Sequence, residues 1–276
     1  MPPPSAVDLD GCWNVYLDCG SNIGVQVRKL FEPRPYAAAL VQPAFSSFFG
    51  NETERRRWSC AVGIEPNPQH GERLSAIQMR YNALGWRTTF LTRTAVGTTS
   101  GDSLFYFDTT KDGKAHEQWA SGMIPFAMNQ GPRSTFYRNH TGADAAGRSA
   151  NEHVHVGKRA KVRVIDLAAW IQQYVLNRKL PLRPVLERYP SPTLAMKMDI
   201  EGGEVDLLPQ LLRSRVLCAF SVVFIEYHAR LLRGTHAEVA LSWPAQFQEN
   251  ASQVCRATQF LSMDDETFLH DGMPLP

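Results

Sequence analysis

No apolar run in the 276-residue chain approaches the roughly 18 residues that a bilayer-spanning helix needs, so nothing in it reads as a membrane span. Net charge is also scarce: 29 Lys and Arg against 27 Asp and Glu leave +2, too little to draw the chain to nucleic acid. The one basic cluster, Glu54 to Trp58, reads as a solvated face. Cysteine is sparse as well. Cys12, Cys19, Cys60, Cys218 and Cys255 stand singly, without the C-x-x-C pairs of zinc sites or redox motifs. They are expected to be reduced thiols, with Cys19, Cys60 and Cys218 acting as small buried hydrophobes. The opening "MPPPSAVDLDG" has neither the basic nor the apolar region of a secretory leader, so the chain as written is expected in the cytosol. Secretory passage stays open should a leader precede residue 1. The N-x-[ST] sequons at Asn51, Asn139 and Asn250 do not decide the matter, because so short a motif arises by chance. There is no internal repeat and no low-complexity tract.

What is present is an alternation of strand-length apolar runs with amphipathic stretches, the pattern of a parallel sheet covered by helices on both faces. "WNVYLDCG" is a first strand, and residues 22–31 a helix stopped by Pro33 and Pro35. "WSCAVGIEP" is a second strand, followed by a helix ending at Gly85. "WRTTFLTRTAVG" is a third strand, "TTSGDSLFYFD" a hairpin, and "KVRVIDLAAWIQQYVL" a short strand running into a helix. "TLAMKMDIEGGE" is the fourth main strand, with a helix over "VDLLPQLLRS"; "CAFSVVFIEYHAR" is the fifth. After a helix near 237–253, "CRATQFL" and "ETFLHDG" are expected to close the sheet as an antiparallel hairpin. The whole is read as one domain over 1–276, with a central, mostly parallel, seven-stranded sheet and insertions at about 32–59 and 109–160. The second insertion carries Trp119, Met123, Phe126 and Tyr137, which could stack on a ring or sugar or simply form a small core of their own.

Between the first strand and its helix, "VYLDCGSNIG" places Asp18, Gly20, Ser21, Asn22 and Gly24. A glycine turn here lets a ligand approach the backbone. The spacing is not the G-x-G-x-x-G of a dinucleotide fold, and no G-K-[ST] follows, so neither a pyrophosphate nor a nucleoside triphosphate is the natural guest. Asp18 would repel a pyrophosphate. It suits a cationic ligand with an ammonium group, such as S-adenosylmethionine (SAM). Glu65, at the end of the second strand and ahead of Pro66, can accept both ribose hydroxyls in a bidentate manner; alternatively it caps the helix that follows.

On the fourth strand, alternation places Lys197, Asp199 and Glu201 on one face. Three charges on a strand buried on both sides are costly unless they pair or reach a cleft. Glu226 and His228 share a face at the end of the fifth strand, at the carboxyl edge where open α/β sheets bind ligands. The bland alternative is a Lys197–Glu226 ion pair with the acids capping the next helix. Asp199, Glu201 and Glu204 could offer oxygens to Mg²⁺, and His153 and His155 nitrogens to a metal, but an unmetalled site is the preferred reading.

The segments "YLDCGSNIG", "GIEPNP", "RTAVG", "VRVIDLAAWI", "MKMDIEGGEVDLLPQL" and "FIEYH" together resemble the FkbM-type methyltransferases, in order and across nearly the whole chain. The resemblance implies a Rossmann-like class I methyltransferase fold that uses SAM to methylate a hydroxyl on a sugar or small natural product. By that resemblance Asp18, Gly20, Ser21, Asn22, Gly24, Glu65 and Pro66 hold the cofactor, with Ala95 and Val96 near its adenine. Asp199 would act as base or orient the acceptor, supported by Glu201, His228 and Lys197, with His228 the better base near neutral pH. No [DN]-P-P-[YFW] block follows the fourth strand, so amino-group methylation is disfavoured. The rivals are a cofactor-binding protein without activity and an NAD(P)-dependent oxidoreductase. The sequence names neither the acceptor nor an oligomeric state.

Overall fold

A strand whose every residue is buried must lie between two covering layers, and β1 (Asn14–Cys19) and β2 (Ser59–Glu65) are both of that kind. The computed structural model describes residues 6–106, 159–181, 191–228, 237–263, 265, 267–268 and 271–276. In it, β1 and β2 belong to a six-stranded sheet with β3 (Thr88–Thr92), β7 (Leu194–Met198), β8 (Val222–Ile225) and β9 (Gln259–Ser262). The order is β3-β2-β1-β7-β8-β9, and every neighbouring pair is parallel. The chain leaves β1 toward β2 and β3 on one side, then returns to build β7, β8 and β9 on the other. The reversal therefore falls between β1 and β7, and their carboxyl ends flank the crevice in which open α/β sheets take ligands.

Alternation along the strands divides the core in two. Tyr16, Ala61, Ala195 and Phe224 face a layer that includes α1 (Val25–Phe31), α2 (Gln42–Phe49) and α4 (Gly71–Ala83). Leu17, Val62, Met196 and Ile225 face the other layer, with α5 (Leu167–Trp170), α6 (Glu204–Arg213) and α7 (Ala237–Val254). The expected insertion at 32–59 is thus part of the body: α2 and α3 (Glu52–Trp58) lie in it, and the Phe45 ring meets Tyr16 edge-on at 5.2 Å. Almost all of the second insertion, with Trp119, Met123, Phe126, Tyr137, His153 and His155, lies outside the described residues.

Four expectations are corrected. The third strand breaks at Arg93, whose φ of 52° turns the chain out of the sheet. Its second half, β4 (Thr94–Gly97), joins a separate sheet with β5 (Gly101–Tyr106) and β6 (Arg159–Asp166), where β6 intervenes between β4 and β5 in place of the expected hairpin. The C-terminal hairpin is replaced by β9 alone, parallel to β8, and Thr267 and Phe268 form a turn, so the main sheet has six strands among the described residues where seven were expected. The cysteines are not all reduced. Cys12 is bonded to Cys60 and Cys218 to Cys255, with Cα atoms 5.8 and 4.6 Å apart, and only Cys19 is left as a buried free thiol.

The C-terminal tail is bonded to α1. Arg28 is wholly buried and each guanidinium nitrogen is engaged: Nε with Glu32, Nη1 with Asp271 at 2.7 Å and the Met273 carbonyl, Nη2 with Glu32 and the Pro274 carbonyl. Lys29 pairs with Asp265 at 3.1 Å. The helix that follows the glycine turn is thereby fixed by residues some 240 positions further along the chain.

Candidate functional site

The turn after β1 is held open by left-handed backbone: Gly20 and Gly24 both have φ of 85°, and Asn22 has φ of 48°. A Cβ on Gly20 would lie 1.8 Å from the Asp199 carbonyl oxygen, and one on Gly24 would press on Ile77 and Leu74. These glycines therefore serve close approach of chain to chain rather than the approach of a ligand. The turn also consumes its own amides. Those of Gly20 and Ser21 donate to the Ile64 carbonyl, that of Gly24 to the Ser21 carbonyl, and that of Asn22 to Glu65 Oε2 at 2.6 Å. Glu65 Oε1 accepts from the Asn67 amide at 2.7 Å, so this carboxylate staples the turn to the end of β2, with Pro66 between Glu65 and Asn67.

Asp18 is fully buried on β1, in register with Lys197 on β7. Neither of its carboxylate oxygens has a partner within hydrogen-bond distance: Ser21 Oγ donates to the Asp18 backbone carbonyl at 2.9 Å, and Lys197 Nζ is 3.9 Å from Oδ1. Burial dominates, the Lys197 charge and the Ser21 hydroxyl pulling the other way, and the Asp18 pKa is pushed up from 3.8 to about 6. Lys197 donates at 2.6 Å to Asp199 Oδ2 and at 3.0 Å to the Gly20 carbonyl. Burial works against its charge, but Asp199 and Asp18 outweigh that and hold its pKa above the ordinary lysine value.

β7 ends at Met198, so the acids beyond it are gathered by a turn rather than by strand alternation. Glu201 (φ 54°) and Gly202 (φ 98°) take the left-handed conformation that reverses the chain. Glu204, the first residue of α6, is fully buried and accepts from the amides of Ile200 and Gly202 at 2.8 and 2.9 Å. It also meets His228 Nδ1 at 3.1 Å. The other ring nitrogen, Nε2, faces Glu226 at 3.1 Å, Glu201 at 3.6 Å and Asp199 at 3.9 Å.

A single imidazole thus sits among four carboxylates. Burial alone would lower its pKa, yet the hydrogen bonds to Glu204 and Glu226 outweigh burial and raise it to about 11. His228 is therefore held toward its charged form at neutral pH, which suits it poorly to serve as the better base beside Asp199. Glu201 moves in the opposite sense: burial first, then repulsion from Asp199, Glu226 and Glu204, raises its pKa to about 8 against the pull of His228.

A model of the methyltransferase FkbM domain matches residues 18–241, most of the chain. The chain belongs to the FkbM methyltransferase family. No curated protein and no solved structure matches it. The FkbM match begins at Asp18 itself and includes the glycine turn, Glu65, the Lys197–Glu204 block and the Glu226–His228 pair. β9 and the tail that buries Arg28 lie beyond it.

Within this FkbM domain the structure brings Asp18, Lys197, Asp199, Glu201 and His228 into one linked cluster, with Gly20 joined to it through the Lys197 bond. Ser21, Asn22, Gly24, Glu65 and Pro66 form the adjoining turn and its staple. Ala95 and Val96 behave differently: Ala95 packs with Phe105 and Val162 in a small core of its own, and Val96 lies against the main core. The alternative Lys197–Glu226 pair is also replaced, since Lys197 bonds Asp199 while Glu226 faces His228. Glu204 is the residue whose role the sequence reading undervalued. Its position directly after Gly202 and Gly203, at a helix start, is the sequence mark of that role.

Ligand-capable atoms of Asp199, Glu226 and His228 lie within 4.8 Å of one another, the dimension of a cation site. Two cations already answer that charge, however. Lys197 Nζ holds Asp199 and a protonated His228 ring faces Glu226. No helix among the described residues is long and apolar enough to cross a membrane.

Proposed function

We propose that this chain transfers a methyl group from SAM to a hydroxyl of a sugar or small natural product. The observation that carries the reading is Asp18: a fully buried carboxylate with no hydrogen bond to either oxygen, at the carboxyl end of β1 where the sheet order reverses. Such a group is costly in the empty protein and is stabilised by a cationic ligand, which fits the ammonium of SAM. Glu65 fits the ribose, because each of its oxygens accepts one amide and keeps a second lone pair. The amides of Gly20, Ser21, Asn22 and Gly24 are all engaged within the protein, which leaves the turn poorly equipped for a pyrophosphate and weighs against the nicotinamide reading.

Bound at this turn, SAM supplies an electrophilic methyl carbon. The protein's part is to align an acceptor oxygen with that carbon and to remove its proton. Asp199 is clamped at 2.6 Å by Lys197, an arrangement suited to orienting a hydroxyl. Glu201 Oε2 receives no hydrogen bond, and a pKa of about 8 matches a general base working near neutrality. His228 stays protonated and fixes the carboxylates around it. Glu204, through the amides of Ile200 and Gly202, positions Glu201.

Titration calorimetry with SAM, S-adenosylhomocysteine and NAD, followed by a labelled-methyl screen over hydroxylated acceptors, tests the reading. Binding of the first two and label appearing on an alcohol oxygen are expected. Binding of NAD alone would overturn it in favour of an oxidoreductase, and SAM binding with no transfer to any acceptor in favour of an inert binder.

A further inference from the structure

Four of the five cysteines are joined in two disulfides, and each bond ties segments far apart in sequence, 48 residues for Cys12–Cys60 and 37 for Cys218–Cys255. Bonds of this kind form and persist where thiols are oxidised, in the secretory pathway and outside the cell, and are rare in a reducing cytosol. That compartment also holds the machinery of N-glycosylation. Two of the three sequons fall on described residues, and both present their acceptor pair to solvent: Asn51 with Thr53, and Asn250 with Ser252, are all exposed. Asn139 lies outside the described residues.

We propose that Asn51 and Asn250 are N-glycosylation sites of a disulfide-bonded domain that matures in an oxidising compartment. The co-substrate is a polyprenyl pyrophosphate-linked oligosaccharide. The asparagine Nδ2 attacks the anomeric carbon, the bond from that carbon to the pyrophosphate oxygen breaks, the lipid pyrophosphate leaves, and the amide gives up one proton.

Both sites tolerate the product. Asn51 caps α3 through its Oδ1, which accepts from the Glu54 amide at 3.0 Å, while the Glu54 side chain accepts from the Asn51 amide. Glycosylation uses Nδ2, so the cap survives it. Asn250 lies on α7 with its side chain exposed, at the border of the face that buries Phe247, Ala251 and Cys255 in the core. A glycan on it can extend into water.

The test uses full-length protein isolated from its own cells. Thiols are blocked under denaturing conditions before and after reduction, and peptides are mapped after the amidase that converts glycosylated asparagine to aspartate in heavy-oxygen water. Expected are labelled aspartate at positions 51 and 250 and, before reduction, blocking at Cys19 alone. Thr53→Ala and Ser252→Ala, which leave the Asn51 cap in place, are each expected to remove one glycan without lowering the yield of folded protein. Unlabelled asparagine at both positions, or all five thiols blocked without reduction, would overturn the proposal. Label at one position only would overturn the assignment of the other. None of these outcomes depends on methyl transfer.

Discussion

Asp18→Asn separates the cost of the proposed cofactor site from its use. An acid whose pKa is higher in the folded protein than in the unfolded chain loses stability as it ionises. The rise from 3.8 to about 6 corresponds to about 3 kcal/mol against folding. Well below pH 3.8 the group is protonated in both states and the penalty is absent; it grows as pH climbs through the interval and is nearly complete above about 6. Asparagine cannot ionise, though its amide is still polar and buried, so the net gain at pH 7.5 is about 2 kcal/mol, or a midpoint roughly 4–8 °C higher. That gain disappears when the two proteins are melted at pH 4. The same change removes the anion proposed to meet the ammonium, a charge-assisted contact of about 1.5–3 kcal/mol, so SAM binds roughly 10–150-fold more weakly by calorimetry. A variant that melts lower than the parent at pH 7.5, or that binds SAM equally well, would refute this account of Asp18.

Glu201→Gln is expected to bind SAM yet lose about 10²–10⁴ in turnover. In the parent, kcat/KM for SAM, which reports the free enzyme, should rise with pH toward about 8, where Glu201 ionises, and the variant should lack that limb; a limb near 6.5 in the same parameter would return the role of base to a neutral histidine. Activity is expected to survive a chelator, because Lys197 and the His228 cation already balance the Asp199 and Glu226 carboxylates; loss of activity restored by Mg²⁺ would make these residues a metal site. Arg28→Met leaves Glu32 and Asp271 buried without their shared cation and should cost about 3–5 kcal/mol by denaturant titration, and Arg28→Lys a large part of the same, since one ammonium cannot fill five directed bonds.

Much of the fold was legible because parallel strands buried on both faces leave a plain apolar signal. β1, β2, β7 and β8 all lie within segments read as strands. The failures concern long-range contacts that no local pattern encodes. Cys12 and Cys60 sit in ordinary apolar surroundings, and only the pairing of β1 with β2 brings the segment before one beside the start of the other. The run ending in "RTAVG" reads as one strand because a left-handed arginine has no local sequence mark. "ETFLHDG" alternates like a strand, yet Asp271 is drawn to Arg28 and Arg73 instead. At the site, alternation named Lys197, Asp199 and Glu201 for a partly mistaken reason: the strand stops at Met198, and it is Glu204, bonding back to the Ile200 and Gly202 amides, that folds the acids inward.

The charge balance of the cluster yields one consequence independent of turnover. Five carboxylates, Asp18, Asp199, Glu201, Glu204 and Glu226, are linked to only two cations, Lys197 and His228. Burial, together with the excess negative charge, raises the Glu201 pKa to about 8 and so favours its protonated form at pH 7. A ligand bringing a sulfonium and an ammonium against one carboxylate adds net positive charge beside this cluster and favours ionised Glu201. SAM binding at pH 7 should therefore release protons, up to one per site, and the enzyme would gain its base as the methyl donor binds. Calorimetry in two buffers with different heats of ionisation reads that number directly. Release should fall away well above pH 8, where Glu201 is already ionised, and should be absent in Glu201→Gln. Proton uptake, or an unchanged release in the variant, would show that the raised pKa of Glu201 is not coupled to the cofactor.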